Sequence, residues 1–105
     1  MNGSPNQDLA GLFHRDTQEF FTRRRVLVTG GSGFIGSHVV EQLNALGAYV
    51  IVPTRSGVSD FLRPVEKEIE IKICDLTNLK QTRTAFEDID IVLHLAADVG
   101  GLEYN

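Results

Sequence analysis

A cluster of glycines carries the clearest chemical message in this chain. Gly31-x-Gly33-x-x-Gly36 has the spacing of a dinucleotide-binding turn, and Gly30-x-x-Gly33-x-x-Gly36 has that of its variant. Such a turn asks for backbone angles that glycine takes cheaply. A side chain at Gly33 would block a pyrophosphate, and one at Gly36 would push the following helix off its strand. The helix that starts there, at Phe34 and Ile35, offers free N–H groups to phosphate oxygens. Ser32 and Ser37 are candidates for additional hydroxyl donors. The bland alternative is a tight strand-to-helix turn that binds nothing. Gly31 and Gly36 also share the glycine spacing of a P-loop, but Ser37 stands where that loop needs a lysine to hold the terminal phosphates, which argues against triphosphate hydrolysis.

A second constellation follows about 20 residues on, where an acidic residue would accept the ribose hydroxyls of NAD. Thr54 and Arg55 occupy that place. A carboxylate there would repel a 2′-phosphate, whereas a hydroxyl beside a guanidinium would attract one. The expected cofactor is therefore NADP or NAD, with NADP favoured. The alternative is that Arg55 is a solvated loop residue and Thr54 merely ends a strand.

The elements that must position these residues alternate in type. Val26-Leu27-Val28 is a short apolar run before the glycines, the pattern of a strand buried on both faces. Ile35, Val39, Leu43 and Leu46 then recur at helical spacing, and Gly47 is a natural stop. Tyr49 to Val52 reads as a second buried strand, and 53–64 as a loop. Glu68 to Ile73 alternates strictly, with Ile69, Ile71 and Ile73 on one face, so this third strand has a wet face and belongs at a sheet edge. Leu79 to Phe86 reads as a short helix capped by Thr77 or Asn78. Ile91 to Leu95 is an apolar strand, central by pattern. The order predicts an α/β fold: the N-terminal part of a Rossmann doubly wound parallel sheet, β-α-β-β-α-β, strand order 3-2-1-4.

Residues 1–22 read as an N-terminal extension, with a loose tail over 1–8 and a weak helical signal over 9–22. Residues 23–105 form a partial nucleotide-binding domain. Arg23-Arg24-Arg25 reads as a solvated entry to the first strand. The net charge of −4 argues against nucleic acid as the main partner. The single cysteine, Cys74, excludes an internal disulfide and makes a reducing cytoplasm the expected setting. No apolar run reaches membrane-spanning length, and the first 25 residues lack the apolar core of a signal peptide.

With these residues placed, the chain resembles the extended short-chain dehydrogenase/reductase family, in its epimerase/dehydratase group acting on nucleotide sugars. The resemblance covers roughly residues 23–105. It rests on Thr29-Gly-Gly-Ser-Gly-Phe-Ile-Gly36, on Asp75-Leu76, and on His94-Leu-Ala-Ala97. It implies that Asp75 hydrogen-bonds the adenine amino group, that Leu76 lies beside the ring, and that the Leu95-Ala96-Ala97 backbone runs past the nicotinamide ribose. A turn or helix-cap aspartate is the alternative for Asp75, and His94 is expected to pack rather than act as a base. The stretch 96–101, Ala-Ala-Asp-Val-Gly-Gly, is similar to the branch containing GDP-fucose synthase and GDP-mannose 3,5-epimerase.

The resemblance further implies a nucleotide-sugar substrate, hydride transfer to and from a nicotinamide, and a homodimer at full length, with no role for a membrane. The family's Tyr-x-x-x-Lys pair is not in this sequence: neither Tyr49 nor Tyr104 has a lysine four residues on. The 105 residues are thus expected to be a truncated, catalytically inactive portion that lacks the substrate domain. A non-catalytic NAD(P)-binding sensor or regulatory module is the competing reading.

Overall fold

A computed structural model describes residue 11 and residues 13–96. The elements are α1 (Arg15–Phe21), β1 (Arg25–Thr29), α2 (Phe34–Ala45), β2 (Tyr49–Thr54), a 3₁₀ helix (Asp60–Val65), β3 (Glu70–Ile73), α3 (Leu79–Ala85) and β4 (Ile91–His94). The four strands form one parallel sheet in the order β3-β2-β1-β4, as expected. The third strand lies at an edge, and the chain reverses direction across the sheet between β1 and β4.

Strand alternation splits the core into two. Val26, Val28, Val50 and Val52 face α2 and the 3₁₀ helix, where they meet Val40, Leu43, Leu62 and Val65. Leu27 and Ile51 point the other way, toward Ala85 of α3, with Ile89 and Cys74 alongside. Each of these central-strand side chains is buried, so β1 and β2 are covered on both faces. Burying one such aliphatic side chain contributes about 1.5–3 kcal/mol, and most of that burial lies on the α2 face.

The structure departs from the sequence pattern at four places. On α2 the expected Leu43 and Leu46 are buried and Val39 packs half-buried on the core, but Ile35 is 73% exposed, and Gly36, Ser37 and Val40 are buried in addition. Gly36 is seated against the preceding turn, and Ile35 beside it faces outward. The expected loop 53–64 contains the end of β2 and a 3₁₀ helix, whose Leu62 and Val65 are buried on the core. Ile69 and Ile71 pack against the α2-side core as predicted, but Ile73 is exposed, at the far end of the strand. Finally, β4 is not buried on both faces. Ile91 and Leu93 pack on the core, whereas Val92 is 42% exposed on the α3 side. The seven-residue α3 buries only Ala85 and does not reach across to cover it.

The weak N-terminal helical signal corresponds to α1, which starts where His14 Nδ1 accepts the Asp16 amide at 3.1 Å and packs Phe21 on the core. The arginine run is tied into the fold rather than merely solvated. The Arg24 guanidinium lies over the Phe20 ring and its Nε donates to the Phe20 carbonyl. Arg25 lies over the Tyr49 ring and donates to the Asp88 carbonyl at 2.8 Å. No helix among the described residues is long and apolar enough to cross a membrane.

Candidate functional site

The turn after β1 is built by two contacts of backbone on backbone. Gly30 has φ +74°, and a Cβ on it would lie 2.7 Å from the Ala96 amide nitrogen and 2.8 Å from the Leu95 carbonyl carbon. The end of β1 and the segment leaving β4 therefore approach as closely as two backbones can. A Cβ on Gly36 would fall on the Gly30 carbonyl oxygen. The expected obstruction at Gly36 thus exists, but its partner is the turn itself rather than the strand. The turn closes with the Gly33 amide donating to the Gly30 carbonyl at 3.1 Å, and α2 begins with the Ser37 amide donating to the Gly33 carbonyl at 2.9 Å.

Gly33 differs from these neighbours. Its φ is −82°, a value open to any residue. A Cβ there would touch only the Gly30 carbonyl, at an ordinary 3.5 Å. Protein packing gives no reason for a glycine at this position, which leaves open space above the start of α2. Phe34 and Ile35 follow it with side chains 62% and 73% exposed.

The two expected serine donors differ: the Ser32 hydroxyl has no hydrogen bond among the described residues and Ser32 lines the cleft described below, whereas the Ser37 hydroxyl is engaged. Ser37 is buried, and its hydroxyl donates to the Phe34 carbonyl at 2.8 Å, inside the helix turn. Ser32 offers its carbonyl to the Ser59 hydroxyl at 2.7 Å, which ties the turn to the loop before the 3₁₀ helix.

Beside the turn, at the carboxyl ends of the strands, lies an open cleft of about 390 Å³. Gly30, Thr54, Arg55, Asp75, Leu76 and Ala96 all line it. Open α/β sheets bind ligands at this end, where strand order reverses. Gly33, Phe34, Ile35 and Gly36 form the adjoining turn and helix start, and Leu95 meets the cleft wall through its backbone against Gly30. Ala97 lies outside the described residues, as do 98–101. A hollow of similar size, about 370 Å³, lies between β3 and α3. It has neither a glycine turn nor strand carboxyl ends from both sides of the sheet, so it lacks the features that recommend the first.

Polar groups in the cleft are already organised. Asp75 Oδ1 accepts from the Thr77 hydroxyl at 2.6 Å and the Thr77 amide at 2.9 Å, and Arg55 Nη2 stands 3.4 Å from the same oxygen. These donors hold the Asp75 carboxyl below its ordinary range, the Thr77 hydroxyl first, then the Thr77 amide, with Arg55 adding less. The Asp75 amide donates to Gln81 Oε1 at 2.7 Å, which fixes the backbone against α3. Asn78, not Thr77, caps α3, accepting the Gln81 amide. Thr54 turns its hydroxyl back on its own loop, toward the Gly57 carbonyl at 3.3 Å and the Ser56 amide at 3.4 Å.

His94 neither packs nor stands free: it is exposed, and its Nδ1 lies 2.7 Å from the Thr29 hydroxyl. Pro53, Ser56, Cys74 and Thr77 are the cleft residues that sequence reasoning missed as site residues. Asp75-x-Thr77 is a recognisable Asx turn, so a local signal for Thr77 existed. Among the described residues no group of three His, Cys, Asp or Glu side chains could hold a metal ion.

Comparison with known proteins agrees with this geometry. The chain is 35% identical over 102 residues to dTDP-4-dehydro-6-deoxy-D-allose reductase of a Streptomyces species, covering 84% of this chain and 29% of that protein. Its fold is similar to a solved epimerase from Methanothermobacter thermautotrophicus, with TM-score 0.70 and 29% identity, over 92% of this chain and 28% of the other. A short-chain dehydrogenase from Leptospira borgpetersenii, solved with bound NAD+, is also similar, with TM-score 0.57 and 31% identity over 70% of this chain and 28% of the other. The chain spans about a quarter of the length of these relatives. The family model for the NAD dependent epimerase/dehydratase family matches residues 26–105, from the first buried strand through the glycine turn and the cleft, and the chain belongs to that family.

Proposed function

We propose that this chain supplies the dinucleotide-binding portion of an enzyme that acts on a nucleotide sugar by reversible hydride transfer. The observation that carries the reading is Gly33. Gly30 and Gly36 are explained by the protein's own backbone, whereas Gly33 is explained by a ligand that needs the space a side chain would fill. The residues present fit a dinucleotide: an unobstructed helix start, a cleft at the strand carboxyl ends, and donors and acceptors on its walls.

In this reading the amides at the start of α2, those of Phe34 and Ile35, hold the pyrophosphate, and Gly36 keeps them in place. Asp75 accepts from the adenine amino group, with Leu76 beside the ring. The Leu95, Ala96 and Ala97 backbone passes the nicotinamide ribose. When bound, the nicotinamide accepts a hydride from the sugar and returns it. The work of this chain is to bind and orient the cofactor.

NAD or NADP is the cofactor, and Arg55 favours NADP, because it places a cation where a ribose-binding carboxylate would otherwise stand. The similar proteins named above are enzymes, which favours catalysis over a non-catalytic sensor. A homodimer, a cytoplasmic setting and a nucleotide-sugar substrate belong to the same reading.

Titration calorimetry with NAD+ and NADP+ on the wild type and Gly33→Val tests it. Binding by the wild type and its loss in a variant with an unchanged melting curve is the expected result. Unchanged affinity in a folded variant overturns the site.

A further inference from the structure

Arg55 and Asp75 meet across the cleft from different strands. Arg55 follows β2, Asp75 follows β3, and the two strands are hydrogen-bonded neighbours with Thr54 opposite Ile73. The contact joins one guanidinium nitrogen to one carboxylate oxygen at 3.4 Å. It is neither bidentate nor sheltered, since the Arg55 side chain is 71% exposed and that of Asp75 42%. Asp75 does not depend on it for its position: Thr77 holds the same oxygen with two shorter hydrogen bonds. Asp75 is thus held by other partners, whereas the exposed Arg55 side chain leans on it. Asp75 Oδ2 has no hydrogen bond among the described residues.

We infer that Asp75 is a second cofactor-specificity residue, which restrains binding of a 2′-phosphorylated dinucleotide by holding Arg55 in an ion pair. The inference rests on the reading of Arg55 as the 2′-phosphate contact. A 2′-phosphate must share or break the Arg55–Asp75 pair before it gains the guanidinium, whereas a ribose hydroxyl makes no such demand. Preorganisation of Arg55 by Asp75 would act in the opposite direction, favouring the phosphate. A single long contact on a mostly exposed side chain orders Arg55 little, so competition for its charge outweighs preorganisation. The two roles of Asp75 then separate by atom. Oδ1 governs the guanidinium, and Oδ2 is left for a ligand donor common to both dinucleotides.

The test is equilibrium titration of NADP+ and NAD+ against the wild type, Asp75→Asn, Arg55→Ala and the double variant, read as the ratio of the two affinities. Asparagine keeps a carbonyl oxygen for the Thr77 donors and removes the charge. Any loss of adenine contact affects both dinucleotides and cancels in the ratio. Asp75→Asn is expected to raise the NADP+/NAD+ affinity ratio about two- to fivefold, the scale of an exposed ion pair. In the Arg55→Ala background the same substitution is expected to leave the ratio unchanged.

A ratio that stays constant or falls in Asp75→Asn overturns the inference while leaving Arg55 in its role, provided that Arg55→Ala lowers the ratio. An equal rise with and without Arg55 overturns it as well, since Asp75 would then act by direct repulsion of the phosphate. If Arg55→Ala leaves the wild-type ratio unchanged, the Arg55 reading itself fails and the inference falls with it. A melting curve for each variant shows that all four are compared as folded proteins.

Discussion

The hydroxyl of Thr29 lies 2.7 Å from Nδ1 of His94 and accepts the amide of Ala96 at 3.1 Å. Thr29 ends β1, and the other two residues end β4 and begin the segment beyond it. One oxygen thus joins β1 to the edge strand β4 where the cleft opens, and holds Ala96 against Gly30.

Thr29→Val keeps the shape of the side chain and removes that oxygen. The Ala96 amide then loses its acceptor in a partly buried place, and the variant is expected to be less stable by about 1–2 kcal/mol. Thr29→Ser should recover most of the loss. Urea unfolding at one fixed temperature measures both. A valine variant as stable as the wild type would show that the tie is dispensable.

Gly36→Ala is expected to damage the fold rather than the ligand contact. Its Cβ has nowhere to go, because the Gly30 carbonyl occupies the position and belongs to the same rigid turn. Loss of a cooperative thermal transition is the expected outcome. Gly33→Ala should melt within about 1 kcal/mol of the wild type, since its Cβ makes only an ordinary contact and no backbone strain arises. If both variants melt alike, the distinction between the two glycines fails.

The Asp75 carboxyl sits below its ordinary range, chiefly through the Thr77 hydroxyl and amide. A carboxyl depressed in the folded state binds protons less readily than it does unfolded. Its contribution to stability is therefore complete above the unfolded value, about pH 4, and is lost as pH falls through the lower folded value. Carbon-detected NMR titration of Asp75 should give a midpoint below that of a free aspartate, and Thr77→Val should move it upward. A midpoint unaffected by Thr77→Val would remove Thr77 as the cause.

Cys74 lines the cleft at the end of β3, and partial burial pushes its thiol up. Because the thiolate is the reactive form, alkylation near about pH 7.5 should be slower than for free cysteine. Saturating NAD+ should slow it further if the dinucleotide fills this cleft. Rates unaffected by NAD+ would place the dinucleotide away from Cys74.

Much of this arrangement was legible from residue order. Buried runs such as Val26-Leu27-Val28 and the alternation of Ile69 and Ile71 report strand position directly, because side-chain direction has period two. The strand order followed from the doubly wound pattern of alternating strands and helices, with which the alternation in the third strand agrees. Helix facing was less legible. On α2, Ile35 faces outward beside Gly36, which seats on Gly30 through a backbone contact that hydrophobic spacing does not encode. The 3₁₀ helix was hidden because Pro64 and the short spacing of Leu62 and Val65 carry no helical period. In the site, residue types identified the cleft walls, but not the internal bonds that occupy the Ser37 and Thr54 hydroxyls. The partnership of Thr29 with His94 spans 65 positions of sequence and has no local signal.

The connection between α1 and β1 is fastened to the far end of α2. The Thr22 hydroxyl is shared between the Gln18 carbonyl at 2.6 Å and the Leu46 carbonyl at 3.0 Å, and the Arg23 amide donates to the Gly47 carbonyl at 2.8 Å, where Gly47 follows the helix cap with φ +84°. The two carbonyls just past the end of α2 thus find partners in residues that precede the first strand. Fraying at the end of α2 and release of α1 are then a single opening event, and amides in the two segments should exchange with solvent at a common free energy. In that sense the cooperative unit begins at α1 rather than at the strand where the family pattern begins.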